Sequence, residues 1–92
     1  MSAEPYEVRV LPAARRAIAD RLPEPVAAAV LEFCSQALTE NPQRVGRPLV
    51  GPLAGSHGAR RGSYRVIYRI DEESRTVFVL HVDHRSDVYR KR

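Results

Sequence analysis

The feature that most restricts the fold is a pair of alternating segments near the end of the chain, Tyr64 to Asp71 and Val77 to Asp83. Successive side chains of a strand point to opposite sides, so a two-residue period specifies a sheet with two unlike faces. In the first segment Tyr64, Val66, Tyr68 and Ile70 share one side, and Arg65, Ile67, Arg69 and Asp71 the other. In the second, Phe78, Leu80 and Val82 share a side, opposed to Val77, Val79, His81 and Asp83. Asp71 to Ser74 reads as the turn between them. If the even-numbered residues line the core, antiparallel pairing sets Arg65 opposite His81, or one pair to either side, on a face left open.

The remaining elements follow from the same kind of reading. Tyr6 to Leu11 alternates and is expected to be a first strand. Pro12 suits the first turn of a helix running to about Leu22, with Ala14, Ile18 and Leu22 on one face. Pro23-Glu24-Pro25 breaks that helix, because proline lacks the donor a continuing turn requires. A second helix is expected from about Pro25 to Asn41, before Pro42. It carries two adjoining apolar stripes, Val26-Val30-Phe33-Ala37 and Ala27-Leu31-Cys34-Leu38. Pro42 to Gly55 reads as a loop carrying Arg44 and Arg47, followed by a short strand over residues 56–61 and a turn near Gly62. The expectation is an α+β fold of order β-α-α-β-β-β: a small, mostly antiparallel sheet, two N-terminal helices on one face and a basic surface on the other.

Composition narrows the class. At 92 residues the chain is expected to be a single domain, 1–92, with an ordered core of about 6–89. No apolar run approaches the length needed to span a bilayer, and no signal segment is visible, so a soluble, cytoplasmic protein is expected. The lone Cys34 rules out an internal disulfide framework and sits in an apolar helical stretch, where a buried, inert thiol is the default. Residues 1–43 carry four arginines against six carboxylates, net −2, while residues 44–92 carry eleven cations against five carboxylates, net +6. Fourteen of the fifteen cations are arginine. That bias suits bidentate phosphate contact, and is equally what a GC-rich genome yields.

Arg60-Arg61-Gly62-Ser63-Tyr64-Arg65 opens one strand, and His84-Arg85-Ser86-Asp87-Val88-Tyr89 follows the other. Together they bring arginines, histidines and a tyrosine to one neighbourhood. A guanidinium keeps its proton at any working pH, so such a cluster is a permanent clamp for a polyanion. Each residue also has a structural reading. Arg65 can pair with Asp83 across the sheet, and Tyr89 can pin the tail by packing. Tyr64 and Tyr68 belong to the core by parity, and Glu72 and Glu73 are expected to be solvated in a turn. His81 with Asp83 offers too few ligands for a metal, and no metal or other cofactor is expected.

These segments, with Val77-Phe78-Val79-Leu80-His81-Val82 and the order of elements, resemble the RelE branch of the RelE/ParE toxin superfamily. The likeness extends from about Tyr6 to Tyr89. It implies a toxin of a type II toxin–antitoxin pair, a ribosome-dependent endoribonuclease cutting mRNA in the A site. In that family a 2′-hydroxyl attacks the adjoining phosphate, leaving a 2′,3′-cyclic phosphate and a 5′-hydroxyl. The resemblance assigns Arg65, Arg85 and Tyr89 to catalysis. Arg47, His57, Arg60, Arg61, Arg69, His81 and His84 are the expected RNA contacts. Where relatives often carry lysines this chain has Ser56, His57, Gly58 and Ala59, with Arg60 and Arg61 as the substitute charge. The implied partners are a cognate antitoxin, the 70S ribosome and mRNA, with promoter DNA met only through the antitoxin. The alternatives are a ParE-like inhibitor of DNA gyrase and a fold that has lost activity and survives as a binding module.

Overall fold

In the computed structural model, which describes residues 4–84, the chain runs β1 (Glu7–Val10), α1 (Pro12–Asp20), α2 (Glu24–Ser35), α3 (Ala37–Glu40), α4 (Pro42–Val45), β2 (Arg47–Pro48), a 3₁₀ turn (Gly51–Leu53), β3 (His57–Arg61), β4 (Tyr64–Asp71) and β5 (Thr76–His84). The strands form one sheet of order β1-β5-β4-β3-β2, antiparallel except for the parallel pair β1/β5. The mostly antiparallel α+β arrangement matches the expectation. The two-residue strand β2 and the turn α4 add to it, both inside the stretch read from sequence as loop.

Helix α1 begins at Pro12, whose missing N–H costs nothing in a first turn. Ala14 and Ala17 are buried, and small side chains there let the helix approach β5 closely. The second helix ends sooner than its periodicity suggests. Gln36 takes φ −116° and ψ −70°, separating α2 from the single turn α3. Of its two stripes, Val30, Phe33, Cys34 and Leu38 are buried, while Leu31 is 51% exposed.

One core results, between the helices and a single face of the sheet. It holds Tyr6, Val30, Phe33, Leu38, Tyr64, Val66, Tyr68, Val77, Val79 and Val82, with Val8, Val10 and Ile70 packed against it. For β4 the parity reading holds, except that Ile67, on the side away from the helices, is itself only 4% exposed. For β5 it does not: Val77 and Val79 are fully buried, whereas Phe78 and Leu80, expected in the core, are only partly covered. The cause is a bulge. Ile67 pairs with His81 and Tyr68 with Val79, which leaves Leu80 without a partner and reverses parity on either side of it.

Two tight connections fix the hairpins. Gly62 and Ser63 join β3 to β4, and Gly62 has φ +57°, the left-handed geometry that two-residue hairpin loops require. The β4–β5 turn closes with Arg75 N–H donating to the Glu72 carbonyl, Arg75 itself at φ +49°. Glu72 is not merely solvated. The Tyr6 hydroxyl donates to its Oε1 at 2.8 Å, and Gln43 Nε2 donates to the same carboxylate.

Candidate active site

The side of β4 away from the helices carries the candidate site. Cross-strand register sets Arg60 of β3 opposite Arg65 of β4, and Arg65 opposite Asp83 of β5, so these residues form a row across three strands. The next row is Arg47, Gly58, Ile67 and His81. His81 therefore lies one pair from Arg65, within the range expected. Arg69 belongs to the same face and is exposed.

Arg65 donates through Nη2 to Asp83 Oδ2 at 3.4 Å, a pair whose side chains remain 45% and 39% exposed. The structural reading of Arg65 is thus present in the molecule, and it leaves chemical capacity unused. A guanidinium has five N–H donors, of which the carboxylate engages one. The carboxylate can hold the fork in place while the other donors face solvent. No other side-chain hydrogen bond or ion pair of Arg65 occurs among the described residues.

Three of the expected RNA contacts fall on the opposite side. His57 pairs with Tyr68, Arg61 with Tyr64, and Tyr64 with His84, all on the face the helices cover. The Arg61 guanidinium lies 5.0 Å from the centroid of the Phe33 ring in α2, a cation–π contact. His57 stacks on Tyr68 with ring centroids 5.6 Å apart, and its Nδ1 is buried without a hydrogen-bond partner among the described residues. His84 is 9% exposed. Their sequence positions beside Arg60 and Arg65 give no hint of this, since neighbours in a strand point apart. Arg85 and Tyr89 lie outside the described residues.

The two strand tyrosines are structural. The Tyr68 hydroxyl donates to the Pro42 carbonyl at 2.6 Å, and burial pushes its phenol up to about 12. Burial also raises the Tyr64 phenol, with Arg61 acting in the other direction. Neither is a proton acceptor near neutral pH. Burial likewise pushes the Cys34 thiol to about 11, which makes it inert as a nucleophile.

Comparison with known proteins shows the family. Residues 8–89 match the family described as the ParE toxin of type II toxin–antitoxin systems. The chain belongs to the RelE/ParE toxin superfamily. It is 52% identical over 87 residues to the toxin RelG of Mycobacterium tuberculosis, covering 95% of this chain and 99% of that one. It is 46% identical to the toxin RelE of the same organism, covering 94% and 88% respectively. The toxin–antitoxin complex RelBE2 of M. tuberculosis contains a chain that superposes with a TM-score of 0.87 at 50% identity, over 94% of this chain and 98% of that one. This RelE/ParE member is accordingly a toxin of the type II toxin–antitoxin kind. Among its described residues no helix is long and apolar enough to cross a membrane.

Proposed function

We propose that this toxin is an endoribonuclease of the RelE type, which cuts mRNA in the ribosomal A site and so stops translation. The observation that carries the reading is the cross-strand pair Arg60–Arg65, both exposed on the side of the sheet away from the helices, in the half of the chain with net charge +6. The RelG and RelE relatives support the RelE branch over the gyrase-directed one.

The reaction asks three things of a site. A 2′-hydroxyl loses its proton and its oxygen bonds to phosphorus, the phosphorane's negative charge is neutralised, and the P–O5′ bond breaks as the 5′-oxygen takes up a proton. The products are a 2′,3′-cyclic phosphate and a 5′-hydroxyl. Arg65 fits the second task, because its charge is fixed and its free donors face the solvent where a strand would lie. Arg85 and Tyr89 remain assigned by resemblance alone, to charge stabilisation and to stacking or proton transfer. His81, exposed on the same face one pair from Arg65, is an alternative proton acceptor. If the ribosome holds the message in line, alignment supplies much of the acceleration and a weak base suffices.

The same reading includes a cognate antitoxin, as in the complexes formed by RelBE2 and other structural relatives. A suitable surface exists at the outer strand β1. There a groove of about 650 Å³ is lined by Val8, Val10, Leu11, Ile18 and the exposed Leu31, with Arg9 and Arg15 at its rim. The free edge of β1 offers backbone hydrogen bonds to an extended, acidic and apolar segment. Promoter DNA would be met through that antitoxin.

The test is controlled expression of wild type and Arg65→Ala, with growth and mRNA 5′ ends followed together. New 5′-hydroxyl ends at codon-spaced positions in wild type, absent with Arg65→Ala, are expected. Growth arrest without new RNA ends, accompanied by gyrase-linked DNA breaks, would instead support the ParE-like reading.

A further inference from the structure

A second basic site sits where β2 stops short of the end of β3. β2 pairs only with His57 and Gly58, so no described strand pairs with the outer edge of β3 beyond Gly58. The Leu49 N–H donates to the Ser56 carbonyl at 2.9 Å. Strand alternation then turns the peptide groups of Gly58 and Arg60 to that same edge. Gly58 is met there by Arg47, whereas Arg60 lies past the last β2 residue, with its backbone directed into a cavity of about 560 Å³.

Arg44, Arg47 and Arg60 line that cavity, with no carboxylate among its described lining residues. None of the three makes an ion pair or a side-chain hydrogen bond among the described residues. Among the described arginines only Arg9, with Glu7, and Arg65, with Asp83, make ion pairs, so what sets this cavity apart is that three arginines without such a pair meet in it. The cavity also depends on a residue that only glycine satisfies. A Cβ on Gly46 would stand 2.5 Å from the Tyr68 hydroxyl and 2.9 Å from the Gly58 carbonyl oxygen. Gly46 thus lets the backbone between Arg44 and Arg47 press against β3, which places both residues around the cavity that Arg60 borders.

We infer that this cavity is a phosphate-binding subsite, holding a phosphodiester of the RNA strand that is gripped but not cut. The inference rests on the reading of this protein as one that acts on RNA, and it adds Arg44, to which nothing in the strand pattern points. Arg60 links the two sites, since it borders the cavity and is the cross-strand partner of Arg65. The cavity lies about two strand spacings of about 4.8 Å each from β4, so a single RNA backbone can reach from it across Arg60 to the Arg65 position. Three permanent charges, with no carboxylate among the described lining residues, match a phosphodiester, which accepts bidentate hydrogen bonds from arginine.

Binding and cutting separate in the test. The full chain is titrated with a short RNA carrying 2′-O-methyl groups throughout, which it can bind but cannot cleave, at several salt concentrations. The double variant R44Q/R47Q is expected to bind about tenfold more weakly, with a log–log salt dependence shallower by about 0.7 for the one phosphate released. R44K/R47K should restore most of the slope, which a role limited to packing would not require. In wild type, inorganic phosphate should shift the amide resonances of Gly46, Gly58 and Arg60, and the same shifts should survive in Arg65→Ala. Unchanged affinity and slope in a folded R44Q/R47Q protein would overturn the subsite. So would phosphate titration that leaves those amides still, or phosphate binding with no change in the RNA slope, which would point to a protein carboxylate as the occupant. A wild-type protein that produces no new RNA ends would defeat the nuclease reading, while the subsite stands or falls on these binding measurements.

Discussion

The two faces of β4 use one strand for opposite purposes. Toward the helices, Tyr64, Val66 and Tyr68 are buried, and the polar atoms among them have partners: Tyr68 donates to the Pro42 carbonyl and Tyr64 to the Ala29 carbonyl at 3.5 Å. Away from the helices Arg65 and Arg69 are exposed, and across the sheet Arg47 and Arg60 make no ion pair among the described residues. Arg60 and Arg61 are adjacent in sequence yet belong to different faces, one open and one stacked on Phe33. What an arginine does here is decided by which side of the sheet it occupies, and runs of arginine in the sequence conceal that.

Substitutions on the two faces should therefore differ in kind, and the largest loss of stability is expected on the covered one. Tyr68→Ala removes a fully buried ring and the hydrogen bond to Pro42, and should cost about 3–5 kcal/mol in urea unfolding. A cost under about 1 kcal/mol would mean that this face is not the core. Gly46→Ala comes next. Its methyl group collides with backbone as well as with the Tyr68 hydroxyl, and overpacking of this sort typically costs about 1–3 kcal/mol. Calorimetry showing no change would remove the close approach at β3.

Alkali should weaken the covered face and leave the open one alone. Tyr68 has its phenol raised from 10.0 to about 12, and Cys34 its thiol from 9.0 to about 11. The unfolded chain loses these protons first, so between the two values it binds fewer protons than the native state. Stability from these groups is complete below about pH 9 and falls as pH rises through about 9–12. Thermal melts of Tyr68→Phe combined with Cys34→Ala should show a flatter decline over that window; an identical decline would assign the effect to other groups. The smallest effect belongs to the open face. Asp83→Asn breaks an exposed ion pair and should change stability by less than about 1 kcal/mol. A larger loss in chemical denaturation would show that the Arg65–Asp83 pair holds the sheet together.

Much of this division is legible in the sequence because β4 alternates except at Ile67, and Gly62 and the prolines mark the breaks. β5 resists for a physical reason. Val77, Phe78, Val79 and Leu80 form an unbroken apolar run, so both parities are equally hydrophobic and the pattern cannot reveal a bulge at Leu80. His57, Arg61 and His84 share the chemistry of the residues around Arg65, and only register shows that they face the helices. Arg44 has no local signature, because its importance depends on Gly46 bringing two distant segments together in a tertiary contact.

The central claim is that the open face does the chemistry and the covered face only supports it. The most direct test is one measurement on two purified variants: single-turnover mRNA cleavage on programmed ribosomes by Arg65→Ala and Arg61→Ala, with melting temperatures recorded alongside. Arg65→Ala should lose about 10²–10³ in rate at near wild-type stability, the scale of a lost oxyanion donor. Arg61→Ala should stay within about threefold of wild type in rate while giving up about 0.5–1 kcal/mol of stability with its contact to Phe33. Equal rate losses in the two variants, or full activity in a folded Arg65→Ala protein, would contradict the claim.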